Sequence, residues 1–249
     1  MLNETTGPYF AYFMIFMVLE IASLIVAILL PRKSFRRSHQ GKRYSYLSDF
    51  PFELYEARDA KSKVGQGFLI GYAASALGFA FFPLLLCKFS PFEGFFALFL
   101  VHLLLTAGEV GLNFYLTIVS AINPKRHTLI FTIYGGLTLI RFVVDGLIII
   151  NVGHHFQGYQ VPSGNALGFL IPLFVFALGF AVLLMSPQMG KWAELHSTMN
   201  QDGSTYCTRP KFFILAATEW FALLANVLCD LLFASSLLFY FLKIAEFLE

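Results

Sequence analysis

Five carboxylates, Glu20, Glu109, Asp145, Glu219 and Asp230, fall within long runs of apolar residues. A carboxylate at the middle of a bilayer costs roughly 2.5–3.5 kcal/mol on insertion scales, so such residues normally face a protein interior or water and mark an ion or proton path. Burial disfavours the charged form of a carboxyl group, which suits it to loading and releasing protons. About two of the five are expected near the membrane interface, where the cost is small. Arg141 and Asp145 are four residues apart and can meet on one helix face. Such a pair serves equally as a lock between helices or as part of a relay. The proton-path candidates are therefore Asp145, Glu219, Glu109 and Arg141.

Other chemistries find little support. His154 and His155 sit in the stretch INVGHHFQG, read as a solvated loop without nearby carboxylates or cysteines, so no metal site is expected. Cys87, Cys207 and Cys229 show no CxxC spacing and no pairing logic. The chain has no P-loop, no HExxH and no GxSxG, which removes the usual arguments for an ATPase, a metalloprotease or a serine hydrolase.

The elements that must position these residues are membrane spans. Of 249 residues, 57% are hydrophobic and 13% charged, with 30 Phe, and the mean hydropathy is +0.70. Runs of about 20 apolar residues are what a helix needs to cross a hydrocarbon core about 30 Å thick. Such runs cover Tyr9–Leu30, Phe68–Cys87, Phe95–Val119, Thr128–Ile150, Ala166–Ser186 and Phe212–Leu242. They lack the alternation of a membrane β-barrel. The expected fold is all-α: a single transmembrane domain over residues 1–249 with about six spans.

Charge gives the topology. More than half of the 17 Lys and Arg residues lie between Arg32 and Lys63. Lys125 and Arg126 occupy the third loop, and Lys191, Arg209 and Lys211 the fifth. The positive-inside rule then places all odd-numbered loops on one face, opposite Lys88, Lys243 and both termini. The first loop opens at Pro31, a natural helix terminator. Its later part is expected to form a short helix from Pro51 along the membrane surface, with Pro51 at a first helical position and Asp49 as acidic flank. MLNETTGPYF resembles neither a signal peptide nor a transit peptide. The expectation is an organelle-encoded protein of the mitochondrial inner membrane, with a bacterial plasma membrane as alternative.

The order of features resembles the NADH dehydrogenase subunit 1 family of respiratory complex I and its bacterial counterparts. The basic turn Pro31-Arg32-Lys33 corresponds to the family's ERK-like turn, and the stretch from Leu54 to Lys61 to its QPFADAMKL-like pattern. The turn from Asn123 to His127, then Asp145, matches the polar turn and span-four glutamate of that family. The stretch from Lys211 to Trp220 matches its KFALFFLGEY-like pattern, keeping the Lys, the Phe, the Glu and a following aromatic. This chain departs from the family in having Pro31 for the glutamate, a fifth loop poor in acids, and no two further spans after that of Glu219.

The resemblance implies a core membrane subunit of a proton-pumping NADH:quinone oxidoreductase. Phe52, Glu53, Glu56, Lys61 and Glu194 would line the quinone tunnel, and Asp145 and Glu219 would continue into the proton path. The subunit would bind no cofactor, ubiquinone being the substrate of the complex. Its partners would be the other membrane and peripheral-arm subunits, quinone and the bilayer, with no nucleic acid. Two other readings suit the same residues. One is a small proton-coupled transporter, for which Gly135-Gly136 offers a helix break. The other is a non-catalytic accessory or assembly subunit of a respiratory complex, whose small-residue stretch from Gly71 to Gly78 packs closely on partners.

Overall fold

The structure is a computed structural model and describes residues 6–38, 43–55, 59–118, 124–155, 197–199, 205–207 and 211–248. Helix α1 covers Gly7–Leu29 and ends ahead of Pro31, as the missing proline amide requires. Helix α2 (Arg32–Ser38) follows at once, and the first loop continues to a 3-10 turn at Pro51–Tyr55. Then come α3 (Ala60–Leu86), α4 (Ser90–Glu93), α5 (Phe96–Ile118), α6 (Pro124–His155) and α7 (Ile214–Leu248). Between α6 and α7, strands β1 (Ser197–Met199) and β2 (Thr205–Cys207) pair antiparallel, Thr198 opposite Tyr206.

Among the described residues, 5 helices are long and apolar enough to cross a membrane: α1, α3, α5, α6 and α7. The chain is a polytopic helical membrane protein. The remaining expected span, Ala166–Ser186, lies outside the described residues. Three helices overrun their apolar stretches. Helix α3 begins at Ala60 rather than Phe68 because Asp59 caps it, its carboxylate accepting the Ser62 amide at 2.9 Å. Helix α6 runs from Pro124 through His155, so the two histidines end a helix rather than sit in a loop. Helix α7 continues past Leu242 to Leu248.

The first loop differs from expectation in two respects. It holds an additional short helix, α2, where Arg32, Lys33 and Arg36 are exposed. From Pro51 the chain forms the expected short helix, of 3-10 type over Pro51–Tyr55, but its five residues are all buried rather than laid along the surface. The turn is drawn inward by its own polar groups. Tyr44 donates its hydroxyl to Phe50 O at 2.6 Å, the Phe50 amide donates to Glu53 Oε2 at 2.6 Å, and the Tyr55 hydroxyl reaches Ala27 O of α1 at 3.0 Å.

Helix α1 packs mainly on α3, α5 on α6 and α3, and α7 against α3, α6 and α1. Lipid tails are as apolar as leucine, so helix association here depends on close van der Waals fit and buried polar contacts. Gly78 supplies one such fit. A Cβ there would overlap the Phe16 ring, and the Tyr12 hydroxyl donates to Gly78 O at 2.7 Å across the same contact. Phe13 meets Phe79 with ring centroids 5.3 Å apart, continuing the α1–α3 interface.

Candidate functional site

Helix α6 carries His127, Tyr134, Thr138, Arg141 and Asp145 at separations of seven, four, three and four residues, the spacing of a single helix face. At about 1.5 Å per residue this stripe is about 27 Å long, close to the thickness of a hydrocarbon core, about 30 Å. Helix α7 presents Glu219, Asn226 and Asp230 with a similar repeat, and α5 presents His102, Glu109 and Asn113. Nearly all of these side chains are buried, and the three stripes share one interior.

Arg141 is the centre. It is 0% exposed. Its Nε lies 2.5 Å from Glu109 Oε2 of α5, Nη1 bonds Asp230 Oδ1 of α7, and Nη2 donates to Asn226 Oδ1 at 3.2 Å. Glu109 also accepts from the Thr138 hydroxyl. The expected partner, Asp145, is the loosest, with Nη1 to Oδ2 at 3.9 Å. The expected i,i+4 pair is thus present on one helix face, but it is the longest of the contacts, because carboxylates on facing helices meet the guanidinium fork more directly. Asp145 is also held by His102 of α5, Nδ1 to Oδ1 at 2.5 Å. The His102 ring rests on Phe233 of α7, centroids 4.3 Å apart.

Toward the basic loops the seam continues through Asn226, whose amide donates to the Tyr134 hydroxyl. Tyr134 then lines a narrow cavity with Pro51, Asn113, Thr117 and Glu219. Its volume is ≈ 10 Å³, against the about 10–15 Å³ that a single water needs. Beyond it, Glu219 Oε1 meets His127 Nε2 at 2.6 Å. Polar groups thus follow one another from His127 and Glu219, through Tyr134, Asn226 and Arg141, to Asp145 and His102.

The end of the seam near His127 abuts the first loop. The rings of Phe50 and Phe52 stand 5.8 and 5.2 Å from that of His127. The Phe213 amide donates to Leu47 O at 2.7 Å, and Trp220 Nε1 reaches Tyr44 Oη and Asp49 O, each at 3.1 Å. Burial, followed by the nearby Glu53 charge, pushes the Tyr44 phenol well above its ordinary value, and burial does the same to Tyr55.

Comparison of the chain with protein-family models, with curated proteins and with solved structures gives no match.

All four proton-path candidates belong to the seam. Glu219 stands near the start of α7, at the membrane boundary, whereas Glu109, Asp145 and Asp230 lie deeper in their helices. Of the tunnel candidates, Phe52 and Glu53 are buried in the 3-10 turn, and Lys61 is half-buried in the first turn of α3. Glu56 and Glu194 lie outside the described residues. Sequence reasoning missed His102, His127, Tyr134, Thr138 and Asn226. Their helical spacing relative to the carboxylates was the available signal. Among the described residues no group of three or more His, Cys, Asp and Glu side chains is placed to hold a metal ion.

Proposed function

We propose that this chain handles protons within a membrane, the α5–α6–α7 seam accepting them at one end and passing them along the bundle. The observation that carries this reading is the polar stripe of α6, engaged along its length by polar groups of two neighbouring helices. Arg141 is a fixed cation facing Glu109, Asp145 and Asp230. A dry interior does not tolerate uncompensated anions, so three carboxyl groups around one guanidinium form a set suited to taking up and releasing protons. Histidines stand at both ends of the seam, and an imidazole, whose two ring nitrogens can accept a proton on one side and donate on the other, suits entry and exit. The test is proton flux into liposomes carrying the purified protein, together with whatever co-purifies with it, read by a pH-sensitive dye under an imposed potential. Asp145→Asn should reduce the flux at least tenfold without loss of helicity. Undiminished flux in that variant would sink the proposal.

The finer reading is a core membrane subunit of a proton-pumping NADH:quinone oxidoreductase, in the mitochondrial inner membrane or a bacterial plasma membrane. It is supported by the packing of the Lys211–Trp220 stretch on the first loop, since the resemblance assigns these two segments to adjoining parts of the quinone and proton paths. The Glu219–His127 pair would then sense charge changes at the quinone, which acts as substrate of the complex. Affinity purification from native membranes should recover iron–sulfur and antiporter-like subunits, and Glu219→Gln should lower quinone reductase activity with assembly intact. Recovery of the chain alone, still conducting protons, would instead favour a small proton-coupled transporter.

A further inference from the structure

Glu20 is the one intramembrane carboxylate that the seam does not use. It is 0% exposed, and neither of its carboxyl oxygens has a hydrogen-bond partner. It stands on α1, one turn before Leu24, which packs in a common cluster with Tyr72 of α3 and Val227 and Leu231 of α7. That turn of α7 also carries Asp230. Glu20 is within electrostatic reach of Asp230 and Arg141, and Tyr72 of α3 is within reach of Glu20 and Asp230. The groups facing it are therefore Tyr72 from α3, Asp230 from α7 and Arg141 from α6. Arg141 is already engaged by Asp230 and by Glu109 of α5. An ionised Glu20 would have no hydrogen-bond donor and no cation but an Arg141 already shared by Asp230 and Glu109, an arrangement that a buried carboxyl group relieves by taking up a proton.

We propose that Glu20 and Asp230 form a carboxyl pair holding one exchangeable proton across the α1–α7 interface, a storage site beside the seam. This rests on the reading of the seam as proton-handling. The transfer balances on its own: a proton leaving the Glu20 carboxyl is accepted by the Asp230 carboxylate, and the reverse step restores the first state. No other reactant is needed. Asp230, bonded through Oδ1 to Arg141, links the store to the main path. Through this pair α1, which the seam does not otherwise include, acquires a part in proton binding.

Infrared spectroscopy of the protein in its membrane tests the pair without needing a reagent to enter the bundle. A protonated carboxyl group in apolar surroundings has a carbonyl stretch above the amide band, and that stretch shifts in D2O. The expected result is a component of such absorption at neutral pH, shifted by deuterium, that the difference between wild type and Glu20→Gln isolates from the seam carboxyls, that moves in Glu20→Asp and that changes in frequency or intensity in Asp230→Asn. A difference spectrum, wild type minus Glu20→Gln, that lacks this component overturns the proposal. A band indifferent to Asp230→Asn overturns the pairing. Proton flux on the same samples separates the two readings. Flux without the Glu20 band sinks the storage site alone, and the band without flux in any preparation sinks the seam reading on which it rests.

Discussion

At the residue scale the decisive contact is Arg141 with Asp230 and Glu109. A buried ion pair adds little net stability over an apolar core, but breaking one strands a charge. Arg141→Met should therefore lower stability by about 3–5 kcal/mol, measured as a fall in thermal unfolding temperature in detergent. Combining it with Asp230→Asn should recover part of the loss, because the second change removes the stranded carboxylate. A double variant no more stable than Arg141→Met alone would contradict the pairing. The five carboxylates and Arg141 stood out in the sequence because charge is rare in apolar runs. Their partners did not, since a lone Asn, Thr, Tyr or His in a span is tolerated for many reasons. That Asp145 stands closer to His102 than to its i,i+4 neighbour Arg141 is a matter of which helices face each other.

At the scale of elements, the first loop and the start of α7 form a latch. Trp220 Nε1 has two acceptors on the loop, Tyr44 Oη and Asp49 O. Trp220→Phe keeps most of the apolar bulk but removes the indole donor, leaving Asp49 O to the Tyr44 hydroxyl, which costs about 0.5–1.5 kcal/mol. Limited proteolysis between Tyr44 and Asp49 should accelerate accordingly. The latch is also sensitive to alkali. The Tyr44 phenol is raised above the ordinary 10.0, so its contribution to stability is fully present below that pH and is lost as pH rises through the higher folded value. Proteolysis of the loop should thus increase above about pH 10, and Tyr44→Phe should flatten that increase. Legibility was uneven at this scale. The long helices and the short helix from Pro51 followed from the sequence, whereas the burial and 3-10 winding of the latter did not. Its Pro51, Phe52 and Glu53 fit a helix start locally, and only the buried acceptors around it favour the tighter turn.

For the whole molecule, α6 and α7 run side by side in the same direction, as the His127–Glu219, Arg141–Asp230 and Gly153–Tyr240 contacts require. This is the arrangement demanded by the expected fifth span, itself outside the described residues. The Glu219–His127 end of the seam therefore opens on the side of the basic loops. Cysteines placed at Lys33 and Lys125 should react with an impermeant maleimide from one side of the membrane, and a cysteine at Lys88 from the other. Labelling of Lys33→Cys and Lys88→Cys from the same side would refute the topology. The sequence by itself determined membrane residence, the positions of the five described spans and the asymmetry of charge, because each follows from the solvation of a single segment. Only the tertiary structure decided which polar groups meet, and so made a connected seam of stripes on three helices. Helical rotation and neighbour choice depend on packing between segments far apart in the chain, for which apolar runs carry almost no directional signal.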